Sequence, residues 1–286
     1  MVTVAELSTK EQPTWCPGCG DFTILSTLRN ALAELQVDPD KTVIVSGIGC
    51  GSKTPHFVKT YGFEGLHGRL LPVAAGVKLA NHELTVIGIG GDGDGYGIGG
   101  NHFIHAMRRN LDMTYIIQNN AVYGLTKGQY SPTSQKGFKS PSTPHGALEE
   151  PINPVALALT AGATFIARGN AMDILHLKQL IMAAVKHRGF SLIDVFQPCT
   201  TYNKIQTALW YRQNIYKLED DKSYNPEDKM AAYAKAYEWT PKIPVGVLYK
   251  VDKPTYEDGL PQIKDTPLVH QPIDNIDIAP LLERYK

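Results

Sequence analysis

A doubly wound α/β fold, built around a mostly parallel sheet, is the architecture this sequence predicts. Its short β-rich runs are continuously apolar rather than alternating, as strands covered on both faces must be. Stretches of helical periodicity separate these runs and supply the crossovers that parallel pairing requires. Each run ends in glycine or a polar turn, and 286 residues at 43% hydrophobic content suffice to bury a large core.

In chain order, a helix is expected over residues 21–36, where Phe22, Leu25, Leu28, Leu32 and Leu35 recur on one face. Strands follow at 42–46 (TVIVS), 84–90 (LTVIGIG), 113–118 (MTYIIQ), 164–167 (TFIA) and 191–196 (SLIDVF). Between them the helical pattern returns at 71–81, 99–110, 154–161 and 171–187. It fails from 123 to 150, where Gly, Pro, Ser, Thr and Lys dominate. An unpatterned stretch of that length inside a compact domain is usually functional, so an active-site or partner-facing loop is expected. Beyond residue 200 aromatics, charges and prolines mix without a clear period. Residues 1–200 are therefore expected to form the α/β domain. Residues 201–286 are expected to form an irregular C-terminal extension, either an arm on a neighbouring subunit or a small subdomain.

The charges exclude some functions: 28 Lys and Arg balance 28 Asp and Glu, which leaves no electrostatic signature for nucleic acid or an anionic membrane. No apolar run reaches membrane-helix length, and Glu6, Lys10 and Glu11 stand where a secretion signal would be apolar. A soluble, cytoplasmic protein is expected. In that compartment thiols stay reduced, so the four cysteines call for a reading other than disulfides.

Parallel strands all finish on one side, and ligands bind beyond their carboxyl ends. Residues just after the strands are therefore the informative ones. They are Gly47 to Lys53 (GIGCGSK), Gly91 to Gly95 (GDGDG), Asn119 to Gly124 (NNAVYG) and Gln197 to Cys199 (QPC). The glycine-rich turn at Gly91 suits a phosphate cradle of backbone N–H groups. Gly95 to Gly100 spells G-x-G-x-x-G, but the next strand ends in Asn119 and Asn120 rather than the acidic residue a dinucleotide site wants. Gly47 to Thr54 fails as a triphosphate loop because Ser52 precedes the lysine. A hard divalent cation holding a diphosphate fits better: Asp92 offers a carboxylate, Asn120 an amide oxygen and Val122 a main-chain carbonyl. The plainer reading is a tight strand–helix turn capped by Asp92 or Asp94.

Cys16-Pro-Gly-Cys19 is a C-x-x-C pair in a turn, while Cys50 and Cys199 stand alone at strand ends. Such a pair serves a redox dithiol, half a zinc site or half an iron–sulfur site. Zinc ribbons normally use two such pairs. An iron–sulfur cluster needs four thiolates in no particular sequence proximity, and four are present. Against this, isolated cysteines usually act as small buried hydrophobes. His102 and His105 share a helix face but have no companion ligand, and are read as packing and hydrogen-bonding residues.

Together WCPGCG, SGIGCGSK, GDGDG with NNAVYGLTKG, and QPC resemble the β subunit of 2-oxoacid:ferredoxin oxidoreductases, over residues 15–199. The resemblance implies a thiamine-diphosphate-binding fold of the diphosphate-module type, with Mg²⁺ held by Asp92, Asn120 and Val122. It implies that Gly93, Asp94, Gly124 and Leu125 lie along the diphosphate, and that Ile48, Gly49, Cys50, Gly51 and His67 line the cofactor pocket. Cys16, Cys19, Cys50 and Cys199 would bind a 4Fe–4S cluster. Lys127 resembles the family lysine placed for coenzyme A or substrate and, with His67, is the catalytic candidate, while Lys53 reads as a surface lysine. The expected reaction is CoA-dependent oxidation of a 2-oxoacid to acyl-CoA and CO₂, with electrons passed to ferredoxin. The substrate expected is 2-oxoglutarate, with pyruvate next. Such enzymes set the cofactor between two modules, so an α subunit in a dimer of αβ units is expected to complete the site. The alternatives are a non-redox thiamine decarboxylase subunit and a cluster-binding electron-transfer protein.

Overall fold

The computed structural model describes residues 1–239, 241–274 and 276–285. The first helix, α1 (Gly20–Glu34), leads into β1 (Thr42–Ser46), β2 (Tyr61–Glu64), α2 (Leu70–Ala80), β3 (Thr85–Gly91), α3 (Gly100–Arg109) and β4 (Met113–Asn119). After a long loop come α4 (Pro154–Ala161), β5 (Phe165–Asn170), α5 (Ile174–Lys186) and β6 (Phe190–Phe196). The chain then adds α6 (Ala208–Asn214), β7 (Ile215–Lys217), α7 (Lys229–Tyr237) and β8 (Ile243–Lys250).

The eight strands form one sheet in the order β2-β1-β3-β4-β6-β5-β8-β7. Every neighbouring pair is parallel except β5 with β8. The continuous apolar runs hide an alternation that only the sheet makes visible. Val43 and Val45 join a core with α2, α3, α4 and α7 on one face, whereas Ile44 joins α1 and α5 on the other. Tyr115 and Ile117 divide from Ile116 in the same way. Helices on both faces make the sheet doubly wound, as expected.

Local chemistry sets the helix ends. Asn153 caps α4 by accepting from Ala156 N, Pro154 opens its first turn, and Gly162 closes it at φ 92°. Asp173 caps α5 by accepting from His176 N, so this helix starts a few residues later than its periodicity suggested.

Three strands, β2, β7 and β8, carried no readable signal. All four residues of β2 are exposed at the sheet edge, so burial left no pattern on them. In β8, Pro244 and Gly246 interrupt an apolar run. Gly246 has φ +129°, and an added Cβ would stand 2.9 Å from a Glu219 carboxylate oxygen. The expected boundary at residue 200 is thus corrected in part: β8 pairs antiparallel with β5, and the sheet runs on to residue 250. Past that strand the described residues form only short helical turns.

Strand order reverses about β1, with β2 on one side and β3 on the other. The loops after β1 and β3 therefore diverge at their carboxyl ends, where an open α/β sheet offers a crevice.

Candidate active site

Three loops close a cleft of about 190 Å³ beyond this crevice. The loop after β1 brings Ile48, Gly49, Cys50 and Gly51, and the turn after β3 brings Asp92, Gly93 and Asp94. The loop after β4 adds Asn120, Val122, Gly124 and Leu125, while His67 enters from the segment before α2. All the residues expected around the diphosphate and its cation therefore face one space.

Their local geometry divides the work among them. Asp92 is buried, and burial raises its carboxyl to about 6 despite hydroxyl hydrogen bonds from Ser131 and Thr133. Thr133 Oγ1 lies 2.6 Å from Asp92 Oδ2 and 2.8 Å from Asn119 Oδ1. Asn120 Oδ1 accepts from Val122 N at 3.1 Å across a turn in which Ala121 takes φ 55°. Carboxylate, amide oxygen and main-chain carbonyl form an oxygen set of the kind a hard cation takes. Gly91 has no non-neighbouring atom closer than 4.0 Å to an added Cβ, so its backbone stands open. The segment Gly93–Ile98 then forms a π-helical turn before α3, a feature often found at functional sites.

Asp94 does something the sequence did not suggest. Its Oδ1 accepts from Ile48 N at 3.0 Å, Gly68 N at 2.8 Å and His67 Nδ1 at 2.9 Å. One buried carboxylate thus ties two loops together and orients the His67 ring, leaving Nε2 as the free nitrogen. A Cβ on Gly47 would stand 2.1 Å from Asp94 Oδ2, so glycine is required for this approach. Gly93 likewise makes room for the Tyr123 ring, whose hydroxyl donates to Gly93 O at 3.1 Å.

A second cleft, of about 240 Å³, is lined by Cys16, Cys19, Cys50 and Cys199. It shares Cys50, Asn120, Gly124 and Leu125 with the first, so the two stand wall to wall. The C-x-x-C turn is held there by Cys19 N donating to Cys16 O, Gly20 N to Pro198 O and Thr200 Oγ1 to Pro17 O. Trp15 Nε1 donates to Cys50 O at 2.7 Å and pins the β1 loop to the same turn. A Cβ on Gly124 would lie 3.6 Å from Cys50 Sγ and 3.9 Å from Cys199 Sγ, so this glycine keeps clear the space beside both sulfurs.

Burial, then the Asp21 carboxylate, pushes the Cys50 thiol up to about 11 and Cys19 higher still. Among the described residues no three His, Cys, Asp or Glu side chains converge as closely as ligands of a single ion.

Lys127 lies at the rim of the thiol cleft, exposed, with φ 78°. Among the described residues it forms no salt bridge. Lys53 reaches the same cleft. Sequence reasoning missed Ser131, Thr133, Tyr123, Gln118 and Gln197. Gln118 is buried on the first cleft with neither amide atom hydrogen-bonded. The long loop holding Ser131 and Thr133 did carry a signal, its length, but nothing pointed to those hydroxyls. A further cavity of about 250 Å³ lies beyond Asn119, lined by Arg168 and Asp194. These two charges are 3.9 Å apart and offset one another.

Comparison with known proteins agrees with this geometry. Residues 47–195 match the family model described as thiamine pyrophosphate enzyme, C-terminal TPP binding domain. Residues 199–265 match the family model for the C-terminal part of the pyruvate ferredoxin oxidoreductase beta subunit. The chain is 50% identical to the 2-oxoacid:ferredoxin oxidoreductase 1 subunit beta of Aeropyrum pernix, over 98% of this chain and 92% of that one. It is 48% identical to the 2-oxoglutarate oxidoreductase subunit KorB of Mycobacterium tuberculosis, over 69% of this chain and 53% of that one. The solved 2-oxoglutarate:ferredoxin oxidoreductase from Magnetococcus marinus, with 2-oxoglutarate, coenzyme A and succinyl-CoA bound, superposes with a TM-score of 0.91 at 39% identity. That match covers 100% of this chain and 96% of the solved one. On these matches the chain belongs to the β subunits of the 2-oxoacid:ferredoxin oxidoreductases.

Proposed function

We propose that this subunit takes part in the CoA-dependent oxidative decarboxylation of 2-oxoglutarate, holding thiamine diphosphate with Mg²⁺ in the first cleft and a 4Fe–4S cluster in the second. One observation carries the reading: the two clefts share the wall formed by Cys50, Gly124, Leu125 and Asn120. When bound, thiamine diphosphate supplies the electron sink for loss of CO₂, and the cluster supplies one-electron transfer towards ferredoxin.

The chain's own residues supply placement and charge. Asp92, Asn120 and the Val122 carbonyl present oxygen to Mg²⁺, which offsets the burial cost of the Asp92 carboxylate. Asp94 holds the Ile48 loop and His67 against the cofactor pocket, and His67 Nε2 is the nitrogen that can exchange a proton there. Cys16, Cys19, Cys50 and Cys199 would hold the cluster at its corners. Loading requires thiolates, so Cys19 and Cys50 release protons on binding. Lys127 offers a free ammonium for coenzyme A phosphate or a substrate carboxylate.

The substrate is taken from the relatives: those named for 2-oxoglutarate, and the solved structure with 2-oxoglutarate bound, favour it over pyruvate. The site is completed by an α subunit. In support, Leu66, Leu125 and Ile48 leave apolar surface exposed beside a polar cleft, as a covered edge would require. The assembly is a dimer of αβ units, with the segment beyond β8 at an interface between them. Among the described residues no helix is long and apolar enough to cross a membrane, and a cytoplasmic site of action suits reduced thiols.

The test is co-expression with the α subunit, anaerobic analysis for iron and thiamine diphosphate, and a 2-oxoacid panel with coenzyme A and ferredoxin. The expected result is one cluster per β chain and faster turnover of 2-oxoglutarate than of pyruvate. A complex that decarboxylates without iron would overturn the redox reading. Failure of thiamine diphosphate with Mg²⁺ to raise thermal stability would overturn the cofactor assignment.

A further inference from the structure

Gln197 follows β6 and is buried between the two clefts, 1% exposed. Its Oε1 accepts from Asn120 Nδ2 at 2.8 Å, and its Nε2 donates to Cys19 Sγ at 3.1 Å. A primary amide accepts only through oxygen and donates only through nitrogen, so the two bonds determine one another's direction. Asn120 turns its amide nitrogen to Gln197 and donates one of its two hydrogens, which leaves Oδ1 on the side of Val122 N. Cys19 must receive a proton donor, because the other end of Gln197 is already used as an acceptor.

The surrounding backbone is shaped for this side chain. An added Cβ on Gly20 would stand 2.8 Å from Gln197 Cγ and 3.3 Å from Pro198 Cδ, so only glycine lets the side chain lie across the start of α1. Gln197 N donates to Asn119 O at 2.9 Å, and Asn203 Nδ2 donates to Asn120 O at 2.9 Å. The main chain of Gln197 and that of Asn120 are thereby held in place.

We propose that Gln197 is a positioning residue for both cofactors, turning the Asn120 amide oxygen towards Mg²⁺ and giving the Cys19 sulfur an N–H donor that raises the reduction potential of the cluster. The inference rests on the assignment of Asn120 and Cys19 as ligands made above. An N–H dipole aimed at a cluster sulfur stabilises the extra negative charge of the reduced state, and hydrogen bonds to sulfur are among the determinants of cluster potential.

The experiment uses the assembled complex with Gln197→Leu and Gln197→Glu. Iron and thiamine diphosphate content of the parent complex come first: their absence would refute the ligand assignment rather than this inference. The cluster potential is then measured by a redox titration followed by electron paramagnetic resonance, and Mg²⁺-dependent thiamine diphosphate affinity by calorimetry. In Gln197→Leu both bonds are lost, so the potential falls and affinity drops on the order of 10-fold, the usual scale for a residue that orients a metal ligand. In Gln197→Glu the acceptor for Asn120 remains and the amide donor to sulfur does not. Affinity then recovers to within about threefold of the parent, roughly half of that loss in free energy, while the potential stays below that of the parent. A residue that merely packs against Gly20 would move neither readout in a cluster-loaded variant. Parent-like potential in either variant, or parent-like Mg²⁺ dependence in Gln197→Leu, overturns the proposal. If Gln197→Leu does not assemble, Gln197→Met, which also lacks the N–H donor and adds no charge, decides it through the potential.

Discussion

The cleft beside Asp92 and the cleft beside Cys199 share a wall yet differ in construction. The first takes its oxygen donors from a single crossover, β3 through α3 to β4, whose strands pair in parallel register from Ile87 with Thr114 to Gly91 with Gln118. The second takes its sulfurs from the turn before α1, the loop after β1 and the exit of β6. Closing it requires three segments, distant in sequence, to meet through single bonds such as Gly20 N to Pro198 O and Trp15 Nε1 to Cys50 O. The difference suggests that the diphosphate cleft depends on local sheet geometry and the thiol cleft on long-range closure.

Substitutions at each cleft test that contrast. Asp92→Ala carries the largest expected effect: loss of a direct ligand should weaken thiamine diphosphate and Mg²⁺ binding by about 100-fold or more, beyond the range for outer-shell partners. Iron content should stay unchanged, and its loss would show that the two clefts are not separately built. Cys199→Ala should do the reverse, with most of the iron gone and the cofactor-induced rise in melting temperature retained. Gly51→Ala tests the packing behind the first cleft, because an added Cβ would fall 1.5 Å from Gln118 Oε1. Crowding of that kind costs about 1–3 kcal/mol, which denaturant unfolding of the assembled complex would read. Thr133→Val removes a hydroxyl from the Asp92 carboxylate, and a hydrogen bond to a charged group is worth about 1.5–3 kcal/mol. Cofactor affinity should fall on the order of 10-fold, and parent-like affinity would detach the long loop from the site. The smallest effect on folding is expected from Gly124→Ala, whose Cβ would make ordinary contacts with Cys50 and Cys199. Stability should stay within about 0.5 kcal/mol while iron occupancy drops.

Burial explains which of these parts could be read in advance. Strands at the sheet centre are covered on both faces and announce themselves as apolar runs, whereas β2, exposed at the edge, left no trace. The strand-end rule located Asp92, Asn120, Cys50 and Cys199 because parallel strands bring all their carboxyl ends to one side. Asp94 was identified but its role was not, since its three donors come from loops whose paths no periodicity describes.

What the sequence alone determined was the succession of the five strands β1 and β3 to β6 and the helices between them, the edge of the sheet at which the strand-end residues gather, and the ligand-type residues placed there. Tertiary structure decided which side chains hold those residues. Ser131 and Thr133 reach Asp92, Asp94 joins His67 to Ile48, and Gln197 stands between Asn120 and Cys19. The physical reason is range. Periodicity and turn chemistry act over a few residues, whereas a buried polar side chain finds its partner only after the sheet has brought distant loops to one rim.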